Sequence, residues 1–220
     1  MLALAAALVV SSWPGVLKTG DTLPPVALTD QDGARVRVDG FSGQNVLLSF
    51  VSTRRASPTF CPAVTAKFLY FQEHMPSVGY RLVQISRDAG ADSPQRLQRY
   101  AALFGARSAD WSFLTGKPGD IARLISSLDA GSAADGYEKL YVVNGRGRIL
   151  GELPANDWSP ADALVWASTI AGTAAPRSVT YVGHSSAAMA RPYRAALSLE
   201  GQSLMRRLDL VEYDSSPDAP

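Results

Sequence analysis

The unbroken apolar run Val46-Leu47-Leu48-Ser49-Phe50-Val51 constrains this chain more than any other stretch. A strand without polar alternation is apolar on both faces, so it predicts a central strand covered by a layer on each side. The run leads into TRRASPTFCP, Thr53 to Pro62, which holds the only cysteine, Cys61. After it, Val64, Phe68, Leu69 and Phe71 recur at near-helical spacing up to His74, and Met75-Pro76 predicts the stop. A cysteine at a helix N-terminus lies at the positive end of the helix dipole, where a thiolate is stabilised, so Cys61 is the first candidate for chemistry. A dithiol switch or a soft-metal site needs a second sulfur, and one cysteine cannot supply it within the chain.

The same count excludes an internal disulfide framework and every multi-cysteine zinc pattern. Lys plus Arg number 21 against 20 Asp plus Glu, so a net charge of +1 gives no global attraction to nucleic acid or anionic lipid. Met1 to Leu17 carries no charge and Leu2 to Val10 is wholly apolar. That block is shorter than the roughly 20 residues of a transmembrane helix, and it lacks the basic region that opens a signal peptide. Residues 1–18 are read as an apolar membrane-anchor or docking arm, with a buried N-terminal arm as the alternative. The placement that follows is periplasmic or otherwise extracytoplasmic, and membrane-associated.

Beyond the arm, Val26 and Leu28 alternate with other residues, Asp32-Gly33 marks a turn, and Val36 and Val38 alternate again, which predicts a β-hairpin. Tyr80 to Ser86 predicts the next strand, and Ser93-Pro94 a second helix with Leu97, Tyr100, Ala101 and Phe104 on one face and Gly105 as its stop. Trp111 to Leu114 is a short apolar piece. A third helix carries Ile121, Leu124, Ile125 and Leu128; strand 140–143 turns through Gly145-Arg146-Gly147-Arg148 into Ile149-Leu150; and Ser159-Pro160 starts a last helix that ends at Gly172. Strands separated by such helices predict βαβ units and a mostly parallel sheet. Residues 19–172 are read as one α/β domain, and 173–220, with Arg191, Arg194, Arg206 and Arg207, as a C-terminal extension.

An apolar strand, a Pro-rich turn and Cys-Pro opening a helix resemble the way thioredoxin-like folds present sulfur. GDTLPPVALTDQDG, NVLLSFVSTR, FCP, VQISRDAGADSPQRLQRYAALFGA, WSFLTGKPGDI and LYVVNGRGRI, in this order, resemble blocks of the SCO/SenC family of copper chaperones that serve cytochrome oxidase assembly. The resemblance covers about Gly20 to Gly172. It implies a thioredoxin-like central sheet flanked by helices, and a copper site of two cysteines and a distal histidine. The second cysteine falls on Cys61. The first falls on Arg55 or on Ser57, depending on loop spacing, and the histidine falls nearest Gly136, beside Asp135 and Tyr137. Cys61 alone keeps the ligand's chemistry, and Arg55 would put a fixed cation where a metal should sit.

No other residue completes the site by sequence. His74 lies at the far end of the predicted helix from Cys61, roughly 20 Å away at 1.5 Å per residue. Met75 fails on distance likewise, and His184 belongs to the extension. A one-cysteine peroxidase using Cys61, Thr59 and Arg54 or Arg55 is the enzymatic rival, but its pattern would need Pro at 54 and Thr or Ser at 58, where Arg54 and Pro58 stand. A buried, inert cysteine is the commoner condition. VGHSSA around Ser185 mimics a nucleophile elbow, yet no histidine follows it. GRGRILG at 145–151 imitates a dinucleotide loop but reads more simply as a β-turn. Asp88 and Asp92 are read as loop and helix-capping residues, and Trp111, Trp158 and Trp166 as packing.

The sequence therefore predicts a non-catalytic scaffold without copper or any other cofactor, acting as an accessory subunit of a membrane electron-transfer complex, respiratory or photosynthetic. No nucleic-acid partner or small-molecule substrate is expected. The alternative is a copper chaperone or thiol-redox protein that uses Cys61 with a ligand supplied by a partner.

Overall fold

A computed structural model describes residues 15–53, 62–75, 80–128, 130, 139–153 and 159–173. In chain order the elements are β1 (Ala27–Asp30), β2 (Arg35–Arg37), β3 (Asn45–Val51), α1 (Pro62–His74), β4 (Tyr80–Ser86), α2 (Pro94–Leu103), β5 (Trp111–Thr115), α3 (Pro118–Ser127), β6 (Leu140–Val143), β7 (Ile149–Leu153) and α4 (Pro160–Ala171). The strands form one seven-stranded sheet in the order β2-β1-β5-β4-β3-β6-β7. The apolar run is therefore β3, one strand off the centre of the sheet. This is an α/β thioredoxin-like architecture, a mixed sheet with helices on its faces.

The sheet is not mostly parallel, as the helix spacing predicts. Only β3 with β4 and β4 with β5 run parallel, and the other four neighbouring pairs are antiparallel. The reason lies in the connections. The crossovers through α1 and α2 return the chain to the same end of the sheet, whereas β1 to β2 and β6 to β7 are tight hairpins that reverse it. Trp111–Thr115, read only as an apolar piece, is a full strand buried along its length. It lies between β4 and β1, so burial on both faces removes the alternation that would mark a strand.

Side chains on the two faces build two apolar clusters. Leu47, Val51, Leu82, Trp111, Phe113, Leu140 and Val142 face α1, α2 and α4, meeting Val64, Phe68, Phe71, Leu97, Tyr100 and Leu164. Trp111 is tilted against Phe68, with centroids 5.9 Å apart, and stacks on Phe113 at 5.0 Å. The opposite face, with Val46, Leu48, Phe50, Val83, Ile85 and Leu114, packs on Ile121, Leu124 and Leu128 from α3 and its C-terminal end, and on the N-terminal segment through Leu17 and Leu23. Each sheet face thus has its own apolar layer, as the unbroken run in β3 requires.

The turns follow local chemistry. In the β1–β2 hairpin, Asp30 Oδ1 accepts hydrogen bonds from the backbone N–H groups of Asp32 and Ala34, and Gly33 takes φ +84°. In the β6–β7 turn, Asn144 Oδ1 accepts from Arg146 N–H and Arg148 N–H, both at 3.0 Å. This turn seats against the 41–44 turn so closely that a Cβ on Gly145 would lie 2.2 Å from the carbonyl carbon of Gly43. Gly147 approaches the backbone of Asp39, with a Cβ there falling 2.5 Å from its carbonyl oxygen, and Gly151 lies under the Trp166 and Ile170 side chains, so each glycine of GRGRILG has its own packing reason without a nucleotide. Ser93 and Ser159 cap α2 and α4 by accepting from Arg96 N–H and Asp162 N–H, and Gly172 ends α4 in the left-handed conformation.

Candidate functional site at the C-terminal ends of β3 and β4

The positions singled out by sequence, Arg55, Ser57, Cys61 and Gly136, lie outside the described residues, as do Thr59, Trp158, His184 and Ser185. Their flanks are described. β3 ends at Val51 and α1 begins at Pro62, the residue after Cys61, while β6 begins at Leu140, four residues after Gly136. Antiparallel pairing sets Leu48 opposite Tyr141, and Ser49 Oγ donates to the carbonyl of Lys139 at 2.9 Å. The exit of β3 and the entry of β6 therefore share one end of the sheet. The C-terminal end of β4 is at the same end, because Val51 pairs with Ser86 in the parallel ladder.

A polar cluster occupies this end. Asp92, 2% exposed, accepts from Thr53 Oγ1 on one carboxylate oxygen and from Ser86 Oγ on the other, both at 2.5 Å. Arg96 Nε lies 3.3 Å from the oxygen that Thr53 serves, and it also donates to Thr53 Oγ1 at 3.2 Å. Ser52 Oγ donates to Asp88 Oδ2 at 2.5 Å, and Asp88 N–H donates to Ser86 Oγ at 3.0 Å. Burial pushes the Asp92 carboxyl above the usual carboxylate range. The hydroxyls of Ser86 and Thr53 and the charge of Arg96 work against that rise, and the charge of Asp88 adds to it.

The structure corrects the capping role given to Asp92, because Ser93 supplies the cap of α2. Asp92 instead ties the exit of β3 to β4 and to the first turn of α2. Asp88 keeps its loop role, its carbonyl accepting from the N–H groups of Ala91 and Asp92. The sequence reading gives Ser52 and Arg96 no role, and names Thr53 and Ser86 only as the bounds of a loop and a strand. Polar residues closing the two apolar strands, with an Asp and an Arg four positions apart at the next helix start, were the available signal.

The donor set was tested against a copper site. Among the described residues no group of three or more His, Cys, Asp or Glu side chains could hold a metal ion. Of the two histidines in the sequence, His74 is the last residue of the 13-residue α1, about 18 Å along its axis from the end next to Cys61. Its Nδ1 is 2.9 Å from the carbonyl oxygen of Tyr70 and its ring stacks on that of Tyr70. One thiol for the whole chain and a remote imidazole do not fit a Cu(I) site built on soft sulfur ligands. Trp111 is core, fully buried, and Trp166 packs half-buried against Gly151.

Elsewhere, a cleft of about 380 Å³ is lined by Val16, Leu17, Lys18, Thr19, Lys139 and Glu152. It holds a Lys139–Glu152 pair at 3.6 Å. Among the described residues no helix is long and apolar enough to cross a membrane.

Comparison with known proteins places these observations. The family model described as SCO1/SenC matches residues 17–161. The SCO1 protein homolog of Bacillus subtilis (strain 168) is 30% identical over 94 residues, covering 42% of this chain and 48% of that protein. Peroxiredoxin Bcp of Escherichia coli (strain K12) is 32% identical over 85 residues, covering 39% of this chain and 51% of that protein. The chain thus spans about half the length of the curated relatives it matches. Among solved structures, BsSco, a member of the Sco family of cytochrome c oxidase assembly proteins with a disulfide switch, superposes with a TM-score of 0.59 at 23% identity, over 70% of this chain and 93% of that one. Bradyrhizobium japonicum ScoI with copper bound superposes with a TM-score of 0.53 at 21% identity, over 71% of this chain and all of the other. At those identities the superpositions establish the fold.

Proposed function

The chain belongs to the SCO1/SenC family, and from that premise we propose that it is a non-catalytic accessory subunit of a membrane electron-transfer complex, respiratory or photosynthetic, built on an SCO scaffold that no longer binds copper. The observation that carries this reading is the donor set. The sequence holds one cysteine, and the described histidine sits at the far end of α1 with its Nδ1 against a backbone carbonyl. A thiolate pair cannot be assembled within one chain, and a fold does not bring its activity along when the site residues are absent. What the chain retains is a shape: a sheet end ordered by hydrogen bonds, with a long segment on either side of the matched domain. The arm at 1–18 and the extension at 173–220 are assigned to docking, on the membrane or on the complex, at its extracytoplasmic side.

Cu(I) titration followed by native mass spectrometry tests the loss of the metal. The isolated chain is expected to show no stoichiometric tight complex, and one copper per chain removes this reading. Affinity purification of the native protein from solubilised membranes tests the partner. Recovery with integral electron-transfer subunits is expected, and recovery only as a free monomer counts against it.

The match to peroxiredoxin Bcp supports a second reading, a thiol protein working through Cys61. Peroxide turnover that disappears on Cys61→Ser would establish it in place of the first.

A further inference from the structure

We propose that Asp92 is a proton-operated latch: ionised, it fastens Thr53 at the exit of β3 to Ser86 of β4 and Arg96 of α2, and on taking a proton from solvent it gives up its ion pair with Arg96, whose Nε still donates to Thr53 Oγ1. The geometry carries this. The carboxylate is buried, each oxygen receives one hydroxyl at 2.5 Å, the short distance of a hydroxyl donating to a charged acceptor, and among the described residues the guanidinium of Arg96 is at 3.3 Å. Both hydroxyls already donate to Asp92 while accepting elsewhere, Ser86 from Asp88 N–H and Thr53 from Arg96. A protonated Asp92 carries its O–H on one of the two oxygens, each of which already receives a hydroxyl proton, so the hydroxyl on that oxygen must turn away. The ion pair with Arg96 disappears in the same step.

Among the described residues the charged groups facing Asp92 are Arg96 from α2 and Asp88 from the β4–α2 loop. Arg87, adjacent in sequence, points to the other sheet face, with its guanidinium over the Phe50 ring and Nη2 donating to Ala130 O. One partial counterion, one like charge and burial together set the titration above that of an exposed carboxylate. A group so placed takes up its proton at a higher pH than the unfolded chain does. The folded state therefore gains stability relative to the unfolded one as the pH falls through the folded-state midpoint, and the gain is complete below the unfolded value of about 3.9.

The test uses the full chain, with urea unfolding between pH 7 and 4 for the native sequence and Asp92→Asn, and the Arg96 Nε resonance followed over the same range. The stability difference, native minus Asp92→Asn, should rise as the pH falls, and the Arg96 resonance should move with the same midpoint. In Asp92→Asn that resonance should be flat and already at its acid position. Thr53→Val, which keeps the carboxylate and removes one donor, should raise the midpoint by about one pH unit, a tenfold gain in proton affinity; it also reads the latch should Asp92→Asn fail to fold. A flat Arg96 resonance in the native chain overturns the proposal. So does a stability difference that falls with pH, the mark of a static ion pair.

Discussion

Replacing Gly145 by alanine should destabilise the domain far more than a methyl group added at a glycine with open space around it. A Cβ there would lie 2.2 Å from Gly43 C, 2.4 Å from Gly43 Cα and 2.4 Å from Gly43 O. All three are backbone atoms, so no side chain can swing aside, and the 144–148 turn must move away from the 41–44 turn. The first turn carries the N-terminal segment, because Leu23 N–H donates to Gly147 O and Ile149 exchanges hydrogen bonds with Gly20 and Asp21. The second positions Phe41, which is buried in the same core cluster as Leu23. Overpacking costs about 1–3 kcal/mol, and losing part of this docking puts Gly145→Ala at the upper end, about 3 kcal/mol. Gly119→Ala is the control, since its Cβ would meet nothing within 4 Å in the first turn of α3. Helix propensity makes that change neutral or stabilising by about 0.5 kcal/mol. Urea unfolding should lower the midpoint of Gly145→Ala with an unchanged slope and leave Gly119→Ala at or above the native value. A Gly145→Ala loss below about 0.5 kcal/mol would refute the tight apposition of the two turns and reopen a ligand-binding account of the glycines.

Further outcomes follow from single contacts. Trp111→Ala empties a fully buried site between Phe68 and Phe113 and should cost about 3–5 kcal/mol, read by chemical denaturation. Tyr80→Phe removes a hydroxyl that donates to Ala167 O and meets Thr173 Oγ1 at 2.7 Å; a loss of about 1 kcal/mol is expected by thermal unfolding, with faster amide exchange at the C-terminal end of α4. Ser159→Ala deletes the cap of α4 and should cost about 1 kcal/mol in the same assay, with Ser159→Asp restoring most of it.

Much of the fold was legible because its signals are local. Asp32-Gly33, Ser93-Pro94, Ser159-Pro160 and Gly172 fix turns and helix ends by backbone chemistry that acts within a few residues, and the structure places each as expected. Strand direction was not legible in the same way. Whether β6 runs with or against β3 depends on where the chain re-enters the sheet after α3, and no residue near Leu140 records that. The polar cluster was missed for a related reason. Thr53 and Asp92 are 39 positions apart and Ser52 and Asp88 36 apart, so their meeting is a product of the β3–β4 register.

Loss of a metal ligand would unfold a small domain whose core is the metal, but this chain is built otherwise. Its sheet is covered by separate apolar clusters on its two faces, and the largest buried side chains, Trp111, Tyr100, Tyr141, Phe68, Phe71 and Phe113, lie in those clusters. At the sheet end where β3, β4 and β6 converge, order comes from hydrogen bonds among Ser52, Thr53, Ser86, Asp88, Asp92 and Arg96, none of which is a soft-metal ligand. Folding and metal binding are coupled only where the ligands hold the fold together. Here the described core and the described hydrogen bonds at this sheet end use none of the positions on which the family's copper ligands fall, so the packing of the scaffold does not depend on a metal.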